Sequence, residues 1–506
     1  MSGLHYDGAL GDNHRSARER ATADVDFAPW IGGGPMVETS SGTLTTVDPA
    51  DGEAIAAVPA CGSAEVDAAV AAAADAMDGP WGETSPAERA AALFDWLDVL
   101  RDHRDELALL ESLDTGKPID DAAAEVEGAF DTLEFYASLA RTQRAEQIPA
   151  GADLHCYTRQ EPYGVVGQIV PWNFPTWAAA WKFGPALAAG NATVLKPSSH
   201  TPLSAVRLAQ LSADVLPDGV VNVVPGTGRE AGAALAEHDG VRKLSFTGSV
   251  AAGERVMRAA AGHVAPVTLE LGGKSPFVVF PDADLDTVIE GLAAGIFYAT
   301  GQICDALSRA IVHEDVVDAF TERFVAAAED YTVGDPLAPG TDLGPLTTAD
   351  QYETVTRYVE IGRQEGATLL TGGDPPEDPG LADGWFVTPT VFGDVDREMR
   401  IVNEEIFGPV QTIDSFASYE EAIETANDTE FGLAAGIGTE RTDRVHRTAA
   451  DLDAGVIYVN DYGPILPDAP YGGFKRSGIG RDLGIEALDH YRQTKTVYVN
   501  LGDPSI

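Results

Sequence analysis

The pattern of apolar and polar positions changes along the chain, and each change predicts a different kind of element. Residues 1–26 are polar and show no regular period, so we expect a flexible N-terminal tail there. Residues 27–59 contain short apolar runs between turns that Gly and Asp-Gly mark, which indicates short strands. From residue 63 to residue 142 the apolar positions recur with helical spacing, so this part is predicted to form a layer of helices.

The rest of the chain alternates between two kinds of segment. From Phe174 onward, helical stretches are separated by short apolar runs such as ATVLK, VVNVVPG and KLSFTGS. A second series of the same kind begins near Ser275, and the segment KTVYVNL near the C-terminus is expected to be a strand that needs a partner. Alternation of this kind is typical of βαβ units around a parallel sheet. We therefore predict an α/β fold with two such domains that meet near Gly272–Gly273.

The composition and charge exclude several classes of function. A chain of 506 residues is long enough for two to four domains, each with its own core. The 80 acidic residues against 33 Lys and Arg leave a net charge of −47, so neither nucleic acid nor an anionic membrane is expected as a partner. Lysine occurs at only seven positions, and such a self-repelling chain suits a salt-rich cytoplasm. From this charge we infer a halophilic source. The sequence contains neither a secretory apolar segment nor a membrane-spanning one, so we expect a cytoplasmic location.

Cysteine and histidine spacing limits the chemistry further. The three cysteines, Cys61, Cys156 and Cys304, form no close pair, which argues against a disulfide framework. No two histidines lie three to five residues apart, so no metal site built by the protein is expected. Cys304, in the polar segment TGQICDAL, is the candidate reactive thiol, although a lone cysteine is more often an inert buried residue.

Two glycine-rich segments suggest phosphate binding without establishing it. Gly226, Gly228 and Gly232 follow an apolar strand in a GxGxxxG spacing, one residue longer than the dinucleotide fingerprint, so a simple turn stays open. Ser249 begins another predicted helix one strand later, which adds a second helix start suited to an anion. LELGGKSPF resembles the end of a Walker A loop, but Thr268 stands at the first glycine and a strand follows, so an ATPase is disfavoured.

The motifs as a set resemble the aldehyde dehydrogenase superfamily over nearly the whole chain. The matching segments are DTGKP at 114–118, EPYGVVGQIVPWNFP at 161–175, VLKPS at 194–198, SFTGS at 245–249, LELGGKSP at 269–276, GQIC at 301–304, EEIFGPV at 404–410 and GGFKRSGIGR at 472–481. This resemblance implies a Rossmann-like cofactor domain, an α/β catalytic domain and a small β oligomerisation element. The implied boundaries are 27–140 and 163–272 for the dinucleotide-binding domain, 273–489 for the catalytic domain, and 141–162 with 490–506 for the oligomerisation element.

The resemblance also implies the reaction and the residues that perform it. Cys304 corresponds to the nucleophile, Glu270 to the general base and Asn173 to the donor that stabilises an oxyanion. The implied activity is oxidation of an aldehyde to the carboxylic acid with NAD or NADP, through a thiohemiacetal and a thioester on Cys304. The aldehyde is the expected small-molecule partner, and a homodimer or homotetramer is the expected assembly.

Further positions are assigned by the same resemblance. The cofactor residues are Trp172, Lys196, Ser199, Gly228, Ser249, Gly272, Glu405 and Phe407. Ser199 stands where NAD-preferring members commonly carry a carboxylate, so NADP is expected to be accepted. The substrate pocket is expected to contain Phe174, Trp177, Trp181, Tyr298, Asp305 and Ile465.

Asp305 departs from the family pattern, which usually has a small or hydroxyl residue after the nucleophile. An anion at this position should raise the pKa of the Cys304 thiol. If Asp305 points into the pocket, an amino- or trimethylammonio-aldehyde is a suitable substrate; an apolar pocket for aliphatic or aromatic aldehydes remains open. Two other functions also remain open. One is a CoA-acylating relative, against which Glu270 speaks, and the other is a non-catalytic nucleotide-binding structural protein.

Overall fold

The computed structural model of the chain describes residues 3–23 and 25–502. The helices are α1 (Leu10–Thr22), α2 (Ser63–Asp78), α3 (Pro86–Asp102), α4 (Arg104–Thr115), α5 (Ile119–Ala140), α6 (Pro175–Ala189), α7 (Leu203–Gln210), α8 (Ala233–Glu237), α9 (Val250–His263), α10 (Leu285–Phe297), α11 (Val317–Glu329), α12 (Ala349–Glu365), α13 (Arg400–Asn403), α14 (Tyr419–Asn427), α15 (Thr442–Asp451) and α16 (Gly484–His490). The strands are β1 (Trp30–Ile31), β2 (Gly34–Pro35), β3 (Thr43–Val47), β4 (Ala54–Pro59), β5 (Gln147–Ile148), β6 (Leu154–Pro162), β7 (Val165–Ile169), β8 (Ala192–Lys196), β9 (Val221–Val223), β10 (Lys243–Thr247), β11 (Val267–Glu270), β12 (Pro276–Val279), β13 (Arg309–His313), β14 (Thr368–Thr371), β15 (Thr390–Gly393), β16 (Val410–Phe416), β17 (Ala434–Gly438), β18 (Val456–Val459), β19 (Gly478–Ile479) and β20 (Arg492–Asn500).

The first sheet has the strand order β19-β11-β10-β7-β8-β9-β1-β2, and the strands from β11 to β9 run parallel. The chain therefore builds β7, β8 and β9 outward in one direction and then returns to place β10 on the other side of β7. In open α/β sheets, ligands bind at the carboxyl ends of the strands beside such a reversal. The residues that follow β7 and β10 are thus placed at the edge where a ligand is expected.

The second sheet has the order β14-β15-β16-β13-β12-β17-β18, parallel except for β14. Its strands are short and mostly buried on both faces, as expected when helices cover both sides of a parallel sheet. The two parallel sheets, each with its helices, confirm the predicted fold class of a Rossmann-like domain with an α/β catalytic domain.

A third sheet joins two distant parts of the chain. β20 pairs with β6 in antiparallel register from Arg492 opposite Pro162 to Asn500 opposite Leu154, and β5 pairs with the other side of β6. The predicted C-terminal strand therefore has its partner within this chain. β19 and α16 follow the strands of the second sheet in sequence but contact the first part of the fold. β19 pairs with β11 of the first sheet, and α16 packs against α6.

The prediction of a flexible tail at residues 1–26 is wrong for the residues of this segment that the structure describes, because α1 (Leu10–Thr22) forms there and is fixed to the rest of the protein; residues 1, 2 and 24 lie outside the described part. His14 is buried, with Nδ1 2.7 Å from Asp48 Oδ2 and Nε2 2.9 Å from Asp335 Oδ1. Burial opposes protonation of His14, but hydrogen bonds to Asp335 and Asp48 outweigh it and raise its pKa to about 9. Its buried face consists of Asn13, His14, Ala17 and Ala21, and these small or polar side chains give only a weak apolar period in the sequence.

Local sequence accounts for the ends of several helices. Ser85 caps α3 by accepting a hydrogen bond from the Glu88 backbone N–H, and the Glu88 side chain accepts from the Ser85 N–H in return. Gly190 ends α6 with a φ of 95°, a left-handed conformation that glycine adopts without strain. In the part of the chain that the structure describes, none of the helices combines the length and the apolar character that crossing a membrane requires.

Candidate active site

A cavity of about 550 Å³ opens between the carboxyl edge of the first sheet and the amino edge of the second. It brings together Asn173, which follows β7, Glu270, the last residue of β11, and Cys304, which precedes β13. All six residues expected in the substrate pocket also line it, namely Phe174, Trp177, Trp181, Tyr298, Asp305 and Ile465. The three candidate catalytic residues therefore share one cavity with an aromatic wall.

The segment before Cys304 is held in an unusual backbone conformation. Ala299, Thr300 and Gly301 have φ values of 49°, 56° and 73°, and left-handed backbone is unfavourable for a residue with a side chain. Gln302 secures this segment, because its Oε1 accepts from the Thr347 backbone N–H at 2.9 Å and its Nε2 donates to the Ala299 carbonyl at 3.0 Å. This backbone conformation is energetically unfavourable in isolation, and the surrounding structure stabilises it in the segment that carries the thiol.

Cys304 itself is partly buried, and its Sγ lies 3.2 Å from the Tyr471 hydroxyl. Burial and the neighbouring Asp305 carboxylate raise the pKa of the thiol above its usual range. This is the direction that the sequence leads one to expect from Asp305. Formation of a thiolate at this position therefore depends on hydrogen bonds and on a proton acceptor.

Glu270 is buried, and neither of its carboxylate oxygens has a hydrogen-bond partner within the described residues. Burial and then the nearby Asp482 carboxylate raise the pKa of Glu270 well above its ordinary value. Gly472 makes room for this carboxylate, since a Cβ at that position would lie 2.5 Å from Glu270 Oε1. A buried carboxylate without a protein partner is suited to take a proton from water.

Asn173 is buried beside the same loop. Its Nδ2 donates to the Gln302 backbone carbonyl at 2.8 Å, which fixes the amide next to the segment that leads into Cys304. The following residues start α6, with Pro175 at its first turn, so the helix sets the position of Asn173. An amide placed here can donate a hydrogen bond into the cavity.

Asp305 lies inside a cluster of tyrosines. Its Oδ2 accepts from the Tyr458 hydroxyl at 2.7 Å and its Oδ1 accepts from the Tyr462 hydroxyl at 3.0 Å, and the residue has no exposed surface. Burial raises the pKa of Asp305, and the two hydroxyls limit the rise. The Asp305 carboxylate therefore already has hydrogen-bond partners from the protein.

The buried charged residues Lys117 and Glu125 contact two aromatic residues of the cavity, Phe174 and Tyr298. Lys117 Nζ lies 4.0 Å from the centroid of the Phe174 ring and forms an ion pair with Glu125. Glu125 Oε1 accepts from the Tyr298 hydroxyl at 2.8 Å. Burial raises the pKa of Glu125 to about 8, although Lys117 opposes the rise. The Phe174 ring thus already interacts with a cation that belongs to the protein.

Five of the predicted cofactor residues line the cavity: Trp172, Ser249, Gly272, Glu405 and Phe407. Glu405 Oε1 accepts from the Gly273 N–H at 3.1 Å, and burial raises the pKa of Glu405 to about 7. A Cβ at Gly272 would lie 2.2 Å from Glu405 Oε2, so only glycine leaves room for this carboxylate. The Trp172 and Phe407 rings meet edge to face with centroids 5.3 Å apart.

The other three, Lys196, Ser199 and Gly228, lie outside the lining of this cavity but at the same edge of the first sheet. Lys196 ends β8, and its Nζ donates to the Gly226 carbonyl at 3.1 Å. Gly228 opens a π-helical turn, Gly228–Gly232, after β9, and it is exposed. Burial lowers the pKa of Lys196 to about 8.

Sequence reasoning missed two residues that the geometry singles out. Tyr471 contacts the Cys304 sulfur from 167 positions away, and no spacing in the sequence could have indicated this. Gln351 donates through Nε2 to the Phe407 carbonyl at 2.7 Å and so positions a predicted cofactor residue. Its helix, α12, could be anticipated from periodicity, but this contact could not.

One family model and several solved structures match nearly the whole chain. The sequence model of the aldehyde dehydrogenase family matches residues 36–497. An aldehyde dehydrogenase from Bacillus cereus, solved as its NAD+ complex, is 42% identical with a TM-score of 0.92 over 95% of this chain and 98% of that one. PnpE from Pseudomonas sp. WBC-3 is 42% identical, with a TM-score of 0.92 over 94% of this chain and 98% of that one. Betaine aldehyde dehydrogenase from Staphylococcus aureus, in complex with NAD+, is 34% identical with a TM-score of 0.94 over 97% of this chain and 98% of that one.

Proposed function

The chain belongs to the aldehyde dehydrogenase family, and we propose that it oxidises an aldehyde to the carboxylic acid with NAD+ or NADP+ by way of a thioester on Cys304. The observation that carries this proposal is that Cys304, Asn173 and the unpartnered carboxylate of Glu270 line one cavity. A nucleophile, an amide donor and a base are the three groups that such a reaction requires.

The first half of the proposed reaction uses Cys304 and Asn173. The Cys304 thiolate adds to the aldehyde carbon, and the carbonyl oxygen becomes an oxyanion in the thiohemiacetal. The Asn173 amide donates a hydrogen bond to this oxyanion. A bound nicotinamide cofactor supplies the acceptor for the hydride that leaves the same carbon. The oxyanion then becomes the carbonyl of a thioester on Cys304.

The second half uses Glu270. Its ionised carboxylate takes a proton from a water molecule, which attacks the thioester carbon and releases the carboxylic acid and the Cys304 thiolate. Because the pKa of Glu270 is raised, this base loses its proton at a higher pH than an ordinary carboxyl group does. Its place in the cavity supports water as the acceptor rather than CoA.

The residues present fit a nicotinamide dinucleotide. Glu405 has one hydrogen bond to the Gly273 N–H, which leaves its other oxygen able to accept from a ribose hydroxyl. The buried Thr247 hydroxyl lines the cavity without a partner within the described residues. Ser249 caps α9 at the carboxyl end of β10, where helix backbone N–H groups attract phosphate. We assign Lys196, Ser199 and Gly228 to the adenosine side, because they follow β8 and β9 at the same edge.

An aldehyde panel tests the proposed function. With NAD+ or NADP+ in molar KCl, we expect NAD(P)H absorbance to appear for at least one aldehyde and to require no CoA. Strict dependence on CoA would instead establish the CoA-acylating alternative. Tight NAD(P)H binding without turnover of any aldehyde in the panel would establish the non-catalytic alternative.

For the substrate we propose an uncharged aliphatic or aromatic aldehyde. Tyr458 and Tyr462 already engage the Asp305 carboxylate, and Lys117 already lies over the Phe174 ring, so the pocket offers little unsatisfied negative potential to a cation. Within the same panel, betaine aldehyde should have a kcat/KM no greater than that of an uncharged aldehyde of similar size. An advantage of about tenfold for betaine aldehyde that disappears in Asp305→Asn would contradict this proposal.

Cofactor choice is expected to depend on Ser199. This half-buried residue follows β8, and it carries no carboxylate that would repel a 2′-phosphate. We expect wild-type protein to accept NADP+, and Ser199→Glu to lower the ratio of kcat/KM for NADP+ to that for NAD+ by about tenfold or more. Ser199→Ala is the matched control and should leave the ratio nearly unchanged. A wild-type protein that rejects NADP+ would assign cofactor choice to another residue.

We also propose a homodimer or homotetramer built through the third sheet. β20 and β5 are its edge strands, and exposed strand edges favour pairing with another chain. Large apolar side chains on or beside these strands are exposed, among them Ile148, Tyr498 and Leu501. The net charge of −47 supports a halophilic source, since repulsion of this size is screened in molar salt.

A further inference from the structure

The tyrosine cluster around Asp305 has a feature that the proposed reaction does not use. Three tyrosines, Tyr458, Tyr462 and Tyr471, converge beside the Cys304–Asp305 segment. Two of them donate to the Asp305 carboxylate, whereas the Tyr471 hydroxyl lies 3.2 Å from the Cys304 sulfur. Tyr471 is therefore the phenol within hydrogen-bond distance of the sulfur, although it also acts on Asp305 and lowers the pKa of that carboxyl.

Tyr471 is held rigidly in this position. Its backbone N–H donates to the Asp482 carbonyl at 2.7 Å, and the Asp482 N–H donates back to the Tyr471 carbonyl at 2.8 Å. Its ring packs edge to face against Trp181 with centroids 5.2 Å apart. The direction of the hydroxyl is therefore fixed by the backbone and by ring packing.

The direction of the hydrogen bond follows from the state of the sulfur. With a neutral thiol, either the sulfur or the phenol can donate. A thiolate carries no proton, so only the Tyr471 hydroxyl can then donate. Burial raises the pKa of Tyr471 well above its ordinary value, which favours the protonated phenol.

We propose that Tyr471 is a catalytic residue of this site, donating a hydrogen bond to the Cys304 thiolate, and that Asp305, held by Tyr458 and Tyr462, opposes thiolate formation. Hydrogen bonds to charged groups are stronger than those between neutral groups, so the Tyr471 contact favours the ionised form of the sulfur. The proposal deepens the proposed function, because it rests on Cys304 being the nucleophile.

The surroundings of Cys304 explain why a neutral donor matters there. The titratable groups that act on the sulfur are Asp305 on its own segment, Glu270 from β11, Glu405 from the loop after α13, and Tyr471. Three of these four are carboxylates, which disfavour a second negative charge. Tyr458 and Tyr462 interact with the sulfur electrostatically beside Asp305. Among these groups, Tyr471 supplies the favourable hydrogen bond.

The test measures thiolate formation without aldehyde or cofactor. The rate of Cys304 alkylation by iodoacetamide is followed against pH in molar KCl, with Cys304→Ala as the blank that accounts for Cys61 and Cys156. Tyr471→Phe should shift the profile to higher pH and slow alkylation about tenfold or more at a pH below the wild-type midpoint. Asp305→Asn should shift the profile to lower pH and accelerate alkylation about threefold or more.

Tyr458→Phe is the matched control. It removes a phenol oxygen that touches Asp305 rather than the sulfur, so its shift should be clearly smaller than that of Tyr471→Phe. Because Tyr471→Phe keeps the ring that packs on Trp181, its far-UV CD spectrum should match that of the wild type. Asp305→Asn tests independently how the charge next to Cys304 affects thiolate formation.

An unchanged profile in Tyr471→Phe would overturn the proposal. So would an equal shift in Tyr458→Phe, because the effect would then belong to the cluster as a whole. An Asp305→Asn profile that does not move to lower pH would overturn the opposing role of Asp305. These outcomes are distinguishable from failure of the proposed function, which would show itself as aldehyde oxidation that survives in Cys304→Ala.

Discussion

Replacing Cys304 by Ala should reduce aldehyde oxidation at least about 10⁴-fold, because the variant cannot form the covalent adduct from which the acid is released. Asn173 and Glu270 line the same cavity, but neither supplies a nucleophile of comparable reactivity. The cavity itself is retained, so binding of NADH to the variant, followed by fluorescence, should persist. The measurement is NAD(P)H formation with the best aldehyde of the panel.

Cys156→Ala is the control for this variant. Cys156 is also buried and carries the same atoms, but it lies on β6 in the third sheet, so its loss should leave kcat within about twofold. Full aldehyde oxidation by Cys304→Ala would remove the thiol from the mechanism.

Glu270→Gln should instead separate the two halves of the reaction. The side chain keeps its shape but can no longer accept a proton from water, and a general base contributes typically about 10²- to 10⁴-fold to a rate. We therefore expect a pre-steady-state burst of NAD(P)H, close to one equivalent per site, followed by a turnover phase slowed by that factor. Stopped-flow absorbance measures both phases in one experiment.

The pH dependence supplies the sharper check of Glu270. Its raised pKa places a rising limb in the wild-type deacylation rate, because the rate increases as the carboxylate loses its proton. In Glu270→Gln this limb should disappear while the burst remains. Glu254→Gln is the control, because it alters a surface carboxylate that pairs with Arg476. This variant should keep the rising limb and the turnover rate of the wild type. A variant at Glu270 with no burst and an unchanged pH profile would assign the base to another group.

The elements that could be predicted from the sequence are those with a strong local signal. α5 and α10 carry continuous helical periodicity, and β8 and β12 are short apolar runs between helical stretches, a pattern that indicates strands. α1 was not predictable in this way. It is fixed by His14, whose partners Asp48 and Asp335 lie 34 and 321 positions away.

In the candidate site, too, only the features with a local sequence signal could be predicted. Cys304, Glu270 and Asn173 could be proposed because each lies in a motif that resembles those of a known family. The Tyr471 contact with Cys304 joins the segment before β13 to the segment after β18, and it depends on the pairing of Tyr471 with Asp482. Motifs indicate which residues matter, whereas the distances that decide their chemistry arise only from packing.

The two glycines beside the carboxylates have a consequence for how this protein could change in evolution. A methyl group at Gly272 would occupy the place of the Glu405 carboxylate, and one at Gly472 would displace that of Glu270. At Gly272 the atoms that must move are the end of the Glu405 side chain, which can shift without unfolding the protein. At Gly472 the added carbon would also lie 2.9 Å from Arg481 Cδ, and the φ of 154° is strained for any residue with a side chain. A descendant could therefore keep Cys304, Glu270 and every helix and strand, lose activity through a single added carbon, and still look like an enzyme by its motifs.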